Sequence, residues 1–194
     1  MSSRTRDRIL DALQDLLLRH GLSAVTLDAV AAAAEVSKGG LLYHFHSKND
    51  LLTGLVHRLA DEGTAELTQA RAMEGLDAVR FFLETSVPVD QREAGLYWSV
   101  IANLRSSEIG REAADILRAV FGNWADLLVE RIGDPVAAET IRLVGDGLYL
   151  SALMGLPQPD PQVLRQVFER LLHQAESAAG AAVIADPESE PDND

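Results

Sequence analysis

The chain has 194 residues, with 17 Lys or Arg against 30 Asp or Glu, a formal net charge of −13, 47% hydrophobic residues and no cysteine. That apolar content supports a real core, in one large domain or in a small domain joined to a medium one. The missing thiols exclude a disulfide framework or a thiolate metal site, and an acidic body repels a phosphate backbone, which argues at first against nucleic acid.

The charge is unevenly spread, however. Residues 1–50 carry six basic and six acidic side chains, and the remainder carry eleven basic against twenty-four acidic. A neutral head with Arg4, Arg6 and Arg8 near its start can meet a polyanion if the acidic part faces away; the same arginines suit a merely solvated end. Charges every few residues from Arg4 onward are unlike a secretory leader. The longest apolar run, Gly147 to Pro157, has 11 residues, where a spanning helix needs about 20. A cytoplasmic protein without a membrane span is expected.

Helical periodicity recurs along the chain and no strand-like alternation bounded by hairpin turns appears, so the expected fold class is all-α with about nine helices. The first helix, about Arg4 to His20, places Ile9, Leu13, Leu16 and Leu17 on one face and stops at Gly21. Thr26 is placed to cap a short second helix, with Asp28 near its positive end. Ser37 is placed to cap a third of about two turns. Ser47 followed by Asp50 has the pattern of a capping box and opens a fourth. Two short helices across a tight turn, braced by a longer one, are the pattern of a helix-turn-helix.

The third helix carries Gly39 and Gly40, each about 0.5–1 kcal/mol worse than alanine in a helix, so stability alone does not account for them. A recognition helix in a major groove needs small residues for close approach and donors for contacts. Lys38, Tyr43 and His44 can donate to bases or phosphates, and Lys48 adds its charge to the free N–H groups that begin the fourth helix. Tyr43 and Phe45 could both be core aromatics; the flanking donors favour phosphate contact for Tyr43, and alternation favours the core for Phe45. His44 and His46 stand two apart, on different helix faces with no third ligand nearby, so no metal site is expected. No cofactor is expected either.

The order Thr26-Leu27-Asp28-Ala29-Val30-Ala31, Val36-Ser37-Lys38-Gly39-Gly40-Leu41, Tyr43-His44-Phe45 and Ser47-Lys48 resembles the DNA-binding domain of tetracycline-repressor (TetR) family regulators over about residues 5 to 55. The resemblance implies that Thr26 caps a helix against the phosphate backbone, and Ser37, the second cap, is counted with the expected DNA-binding residues. The resemblance further implies that Lys38, Gly39 and Gly40 face bases, and that Tyr43, His44 and Lys48 hold the backbone or adjacent bases. Many members have tyrosine where this chain has Leu42, and His46 stands where proline or a basic residue is common.

Farther on, Leu96 to Leu104 is apolar on every face apart from Ser99 and Asn103, so it is sealed in a core or borders a cavity. Phe81, Phe82, Tyr97, Trp98, Ile101, Phe121, Trp124 and Tyr149 are candidates for a pocket wall or for ordinary core, with Asn103 and Arg105 as polar handles. A penultimate helix, about Pro135 to Gly155, has small residues around Val144 to Tyr149 that admit a close neighbour. A last helix follows Pro157 to Pro161. Paired half-sites about 34–36 Å apart call for a two-fold dimer, and the resemblance places its interface on these two helices. Val144, Leu148, Ala152, Val163, Val167 and Leu171 are the expected contacts.

The expected domains are residues 1–48 (helix-turn-helix), 49–176 (ligand binding and dimerisation) and 177–194, a disordered acidic tail. With the resemblance, the sequence points to a ligand-responsive regulator. Its partners would be a double-stranded operator, a small-molecule effector and a second copy of the chain, and the effector would act by moving the fourth helix. The alternative is a helical ligand-binding or interaction protein whose helix-turn-helix is vestigial. The chain has no nucleophile elbow or phosphate loop that would suggest an enzyme.

Overall fold

The fold is all-α. The computed structural model describes residues 2–87 and 110–185, and among these there is no strand. The helices are α1 (Ser2–His20), a 3-10 turn (Leu22–Ala24), α2 (Leu27–Ala33), α3 (Lys38–His44), α4 (Lys48–Arg71), α5 (Asp77–Thr85), α6 (Gly110–Ile132), α7 (Pro135–Leu153) and α8 (Pro161–Ala185). The apolar stretch 96–104 and the chain beyond 185 lie outside the described residues.

Local chemistry sets the helix ends near the start of the chain. Gly21, at φ 72°, closes α1 with its N–H on the Leu17 carbonyl at 3.0 Å, in the left-handed conformation that glycine adopts at no cost. α2 ends with a pair of bonds instead: the Glu35 N–H donates to the Ala32 carbonyl and the Val36 N–H to the Ala31 carbonyl. Here the left-handed position is held by Glu35 at φ 53°, where a side chain is strained. α4 begins with a reciprocal cap. Ser47 Oγ accepts from the Asp50 N–H, and Asp50 accepts from the His46 N–H, both at 3.0 Å.

Two cores form. The first buries Ile9, Leu10 and Leu13 of α1, Leu41 of α3 and Leu51, Leu55 and Leu59 of α4. The second gathers Phe82 and Leu83 of α5, Trp124, Leu127, Leu128 and Ile132 of α6, Ile141 of α7 and Leu172 of α8. The described residues accordingly divide into two compact units, 2–64 with 110–120 and 65–87 with 121–185.

The leucines of α4's early turns belong to the first core, so the first unit takes in residues 49–64 of that helix. The last helix continues to Ala185, into the stretch expected to form the tail. Alanine has the highest helix propensity, and Ala178 of this stretch still packs on the second core.

Candidate nucleic-acid interface

The turn between α2 and α3 presents the third helix with one face inward and one outward. Leu41 points into the first core, while Lys38 and Gly39 are exposed and Tyr43 is 77% exposed. Its ring stands edge-on to that of half-buried His44, with centroids 5.1 Å apart. Phe45, at the end of α3, is buried as the alternation predicted; the guanidinium of Arg6 lies 5.5 Å above its ring centre.

Both caps form as expected. Thr26 Oγ1 accepts from the Ala29 N–H at 3.1 Å, and Ser37 Oγ accepts from the Gly40 N–H at 3.0 Å. Each hydroxyl keeps its own O–H to donate outward, toward a phosphate oxygen for example.

The two glycines of α3 differ. A Cβ at Gly39 would meet nothing within 4 Å, whereas one at Gly40 would stand 3.2 Å from Ser37 Oγ. Gly40 therefore answers partly to its own helix cap, and Gly39 is the one whose bareness the fold does not require. Gly39→Ala is expected to raise stability by up to about 0.5–1 kcal/mol in urea unfolding while weakening binding to a preferred duplex. A loss of stability would show that the fold itself needs the glycine.

The cations expected to reach DNA have partners in the protein. Arg8 donates to the carbonyls of Ala34 and Glu35, at 2.6 and 3.3 Å, so it ties α1 to the end of α2 rather than standing as a free solvated end. Lys48 Nζ donates to the Leu22 carbonyl at 3.0 Å, bracing the 3-10 turn as well as beginning α4. Lys38 Nζ lies 2.9 Å from one Asp28 carboxylate oxygen and 3.1 Å from the other. These long-range partners leave no trace in local spacing.

In the second unit, Trp124 is buried between Phe82, at 5.3 Å between ring centres, and half-buried Phe81, at 6.4 Å. Phe121 is exposed and Tyr149 half-buried. Tyr97, Trp98, Ile101, Asn103 and Arg105 lie outside the described residues.

The expected dimer residues divide. Val163 and Val167 are exposed, while Val144, Leu148 and Ala152 are half-buried. Leu171 is 8% exposed and packs on the second core, and it lines a surface groove of α8 together with Val163 and Val167. The inward stripe of α8 runs through Phe168, Leu171, Leu172 and Ala175, which turns Val163 and Val167 outward. On α7 the large exposed apolar residues among those described are Val136, Leu143 and Leu150, with Met154 just past its end; the seven-residue spacing of the first three could have revealed the stripe. Gly145 serves the protein's own α5, since a Cβ there would strike Phe82 and Ser86. Beside it Arg142 bonds both Glu139 and Asp146. The hydrogen bond from Arg142 lowers the Glu139 pKa, and burial raises that of Asp146 against the pull of the same arginine.

Comparison with known proteins agrees with this geometry. Residues 9–55 match the model for bacterial regulatory proteins of the tetR family, and residues 77–176 match that for the tetracyclin repressor-like C-terminal domain. The HTH-type transcriptional regulator AlkX of Mycobacterium tuberculosis is 46% identical over 56 residues, which cover 29% of this chain and 26% of AlkX. The regulator UidR of Escherichia coli is 23% identical over 130 residues, 67% of this chain and 65% of UidR. The matches thus span less than two thirds of these relatives' lengths. Among solved structures, the multidrug binding protein EbrR, complexed with imidazole, aligns with a TM-score of 0.61 at 27% identity, covering 86% of this chain and 93% of that one. GusR of Salmonella enterica aligns at 0.66 and 19% identity over 89% and 96% of the two chains, a likeness of fold.

Proposed function

We propose, because this chain belongs to the tetR family of bacterial regulatory proteins, that it binds double-stranded DNA as a homodimer and represses transcription until a small apolar molecule releases it from a palindromic operator. The observation that carries this reading is the outward ridge of α3: exposed Lys38, Gly39 and Tyr43 on a helix capped at Ser37 and anchored inward by Leu41. An exposed tyrosine beside a bare glycine contributes little to a core and suits a groove floor flanked by phosphates.

The exposed apolar stripes of α7 and α8 support pairing with a second copy, since one short recognition helix binds weakly alone. α4 contributes residues to both compact units and is the element through which an effector would change the spacing of two heads. An effector does so only by its differing affinity for the two arrangements, usually worth about 1–3 kcal/mol. EbrR is by its description a multidrug binding protein, which favours a small-molecule effector that is loosely defined here.

Tyr43→Ala tests the reading against a duplex selected by the wild-type protein from a random pool. Tyr43 is largely outside the fold, so unfolding should shift by less than about 0.5 kcal/mol, while DNA affinity falls about tenfold with the lost bond to a charged phosphate. Unchanged affinity would remove Tyr43 from the interface. Failure to select any duplex would sink the regulator reading itself.

A further inference from the structure

We propose that Asp28 is a positioning residue that keeps Lys38 from phosphates and holds it for a base edge, so that Asp28 sets sequence discrimination; this rests on the DNA-binding reading above. Lys38 is the only Lys or Arg in α3, and it sits in the helix's first turn, the part that meets bases when such a helix enters a groove. Its ammonium is bonded to both oxygens of Asp28, at 2.9 and 3.1 Å, across the first turns of α2 and α3. The two side chains are 58% and 72% exposed. An exposed pair of this kind contributes little to folding, about fivefold in the folding equilibrium at most. Its consequence must be sought in what the ammonium can meet outside the protein.

A free ammonium binds any phosphate, releases a counterion and adds equally to every sequence. With the carboxylate beside it, a phosphate gains one attraction and one repulsion, so Lys38 adds little to non-specific binding. A guanine edge is different. Its O6 and N7 acceptors are neutral, and they can take a proton of the ammonium that Asp28 leaves unused, since Lys presents three donors. The pair also fixes a long flexible stem before binding, so less freedom is lost on contact.

Asp28→Asn removes the charge at nearly constant shape. Random duplex should then bind more tightly, with a salt slope steeper by about 0.9, so that the variant's advantage shrinks about 3- to 4-fold between 50 and 200 mM salt. The ratio of selected to random affinity should fall, and a thermal melt should stay close to wild type. The second arm repeats the change in a Lys38→Ala background. Disappearance of these effects there supports the proposal. Persistence there would show only that a negative charge near the duplex had been removed, and would overturn the pairing account. An unchanged slope and ratio in the single variant would also overturn it. A wild-type protein that distinguishes no duplex from another would overturn both this inference and the reading beneath it, a result separable from the others because it requires no variant.

Discussion

Alanine at position 54 is expected to destabilise the first unit by about 1–3 kcal/mol and to weaken DNA binding along with it. The added Cβ would stand 2.6 Å from Phe45 Cε1, 3.3 Å from Cζ and 3.5 Å from Leu10 Cδ2. The ring has little room to retreat: Phe45 is 3% exposed and Arg6 lies over its face. Phe45 also ends α3, with its N–H on the Leu41 carbonyl at 2.9 Å, so relief that shifts the Phe45 backbone shifts the end of the helix proposed to meet DNA. Urea unfolding followed by helical circular dichroism gives the stability, and titration of the selected duplex gives the binding. An unaltered midpoint would mean the ring edge yields freely, and an intact affinity would detach α3 from the Phe45 contact.

Gly145→Ala should have a comparable or larger effect on the second unit. A Cβ there meets Phe82 at 2.5 and 2.6 Å and Ser86 Oγ at 2.8 Å. Neither neighbour is loose. Ser86 Oγ donates to the Phe82 carbonyl at 2.7 Å, and the Phe82 ring packs against buried Trp124. Overpacking on this scale costs typically up to about 3 kcal/mol, which lowers the melting temperature of a chain this size by roughly 5–10 °C. Gly122→Ala is the control, because a Cβ at Gly122 meets nothing within 4 Å. Equal melting temperatures for the two variants would show that α7 does not approach α5 as closely as described.

What the sequence made legible was chemistry acting over three or four residues. The caps at Thr26, Ser37 and Ser47 form where spacing placed them, since a side-chain oxygen reaching an N–H three residues on is fixed by the helix alone. Phe45 is buried, as its alternation with neighbouring His44 led one to expect, and Tyr43, singled out by its flanking donors, is exposed. Contacts between distant residues were beyond such reasoning. Nothing local joins Arg8 to Ala34, Lys38 to Asp28, or Gly54 to Phe45. Which apolar residues of α8 turn inward was beyond it too, because the helix is apolar on more than one side and only packing decides between them. Gly145 and Gly147 look alike in the sequence; one is pressed against Phe82 and the other faces open space.

The bond from Arg8 to the last carbonyls of α2 has a practical corollary. The segment that matches the regulator head begins at residue 9, and a fragment cut to that border would keep Lys38, Gly39 and Tyr43 while discarding Arg6 and Arg8. Such a fragment retains the exposed ridge of α3 without the bond that ties α1 to the end of α2. In this chain, the residues that announce the ancestry of the head and those that keep it aligned belong to different stretches.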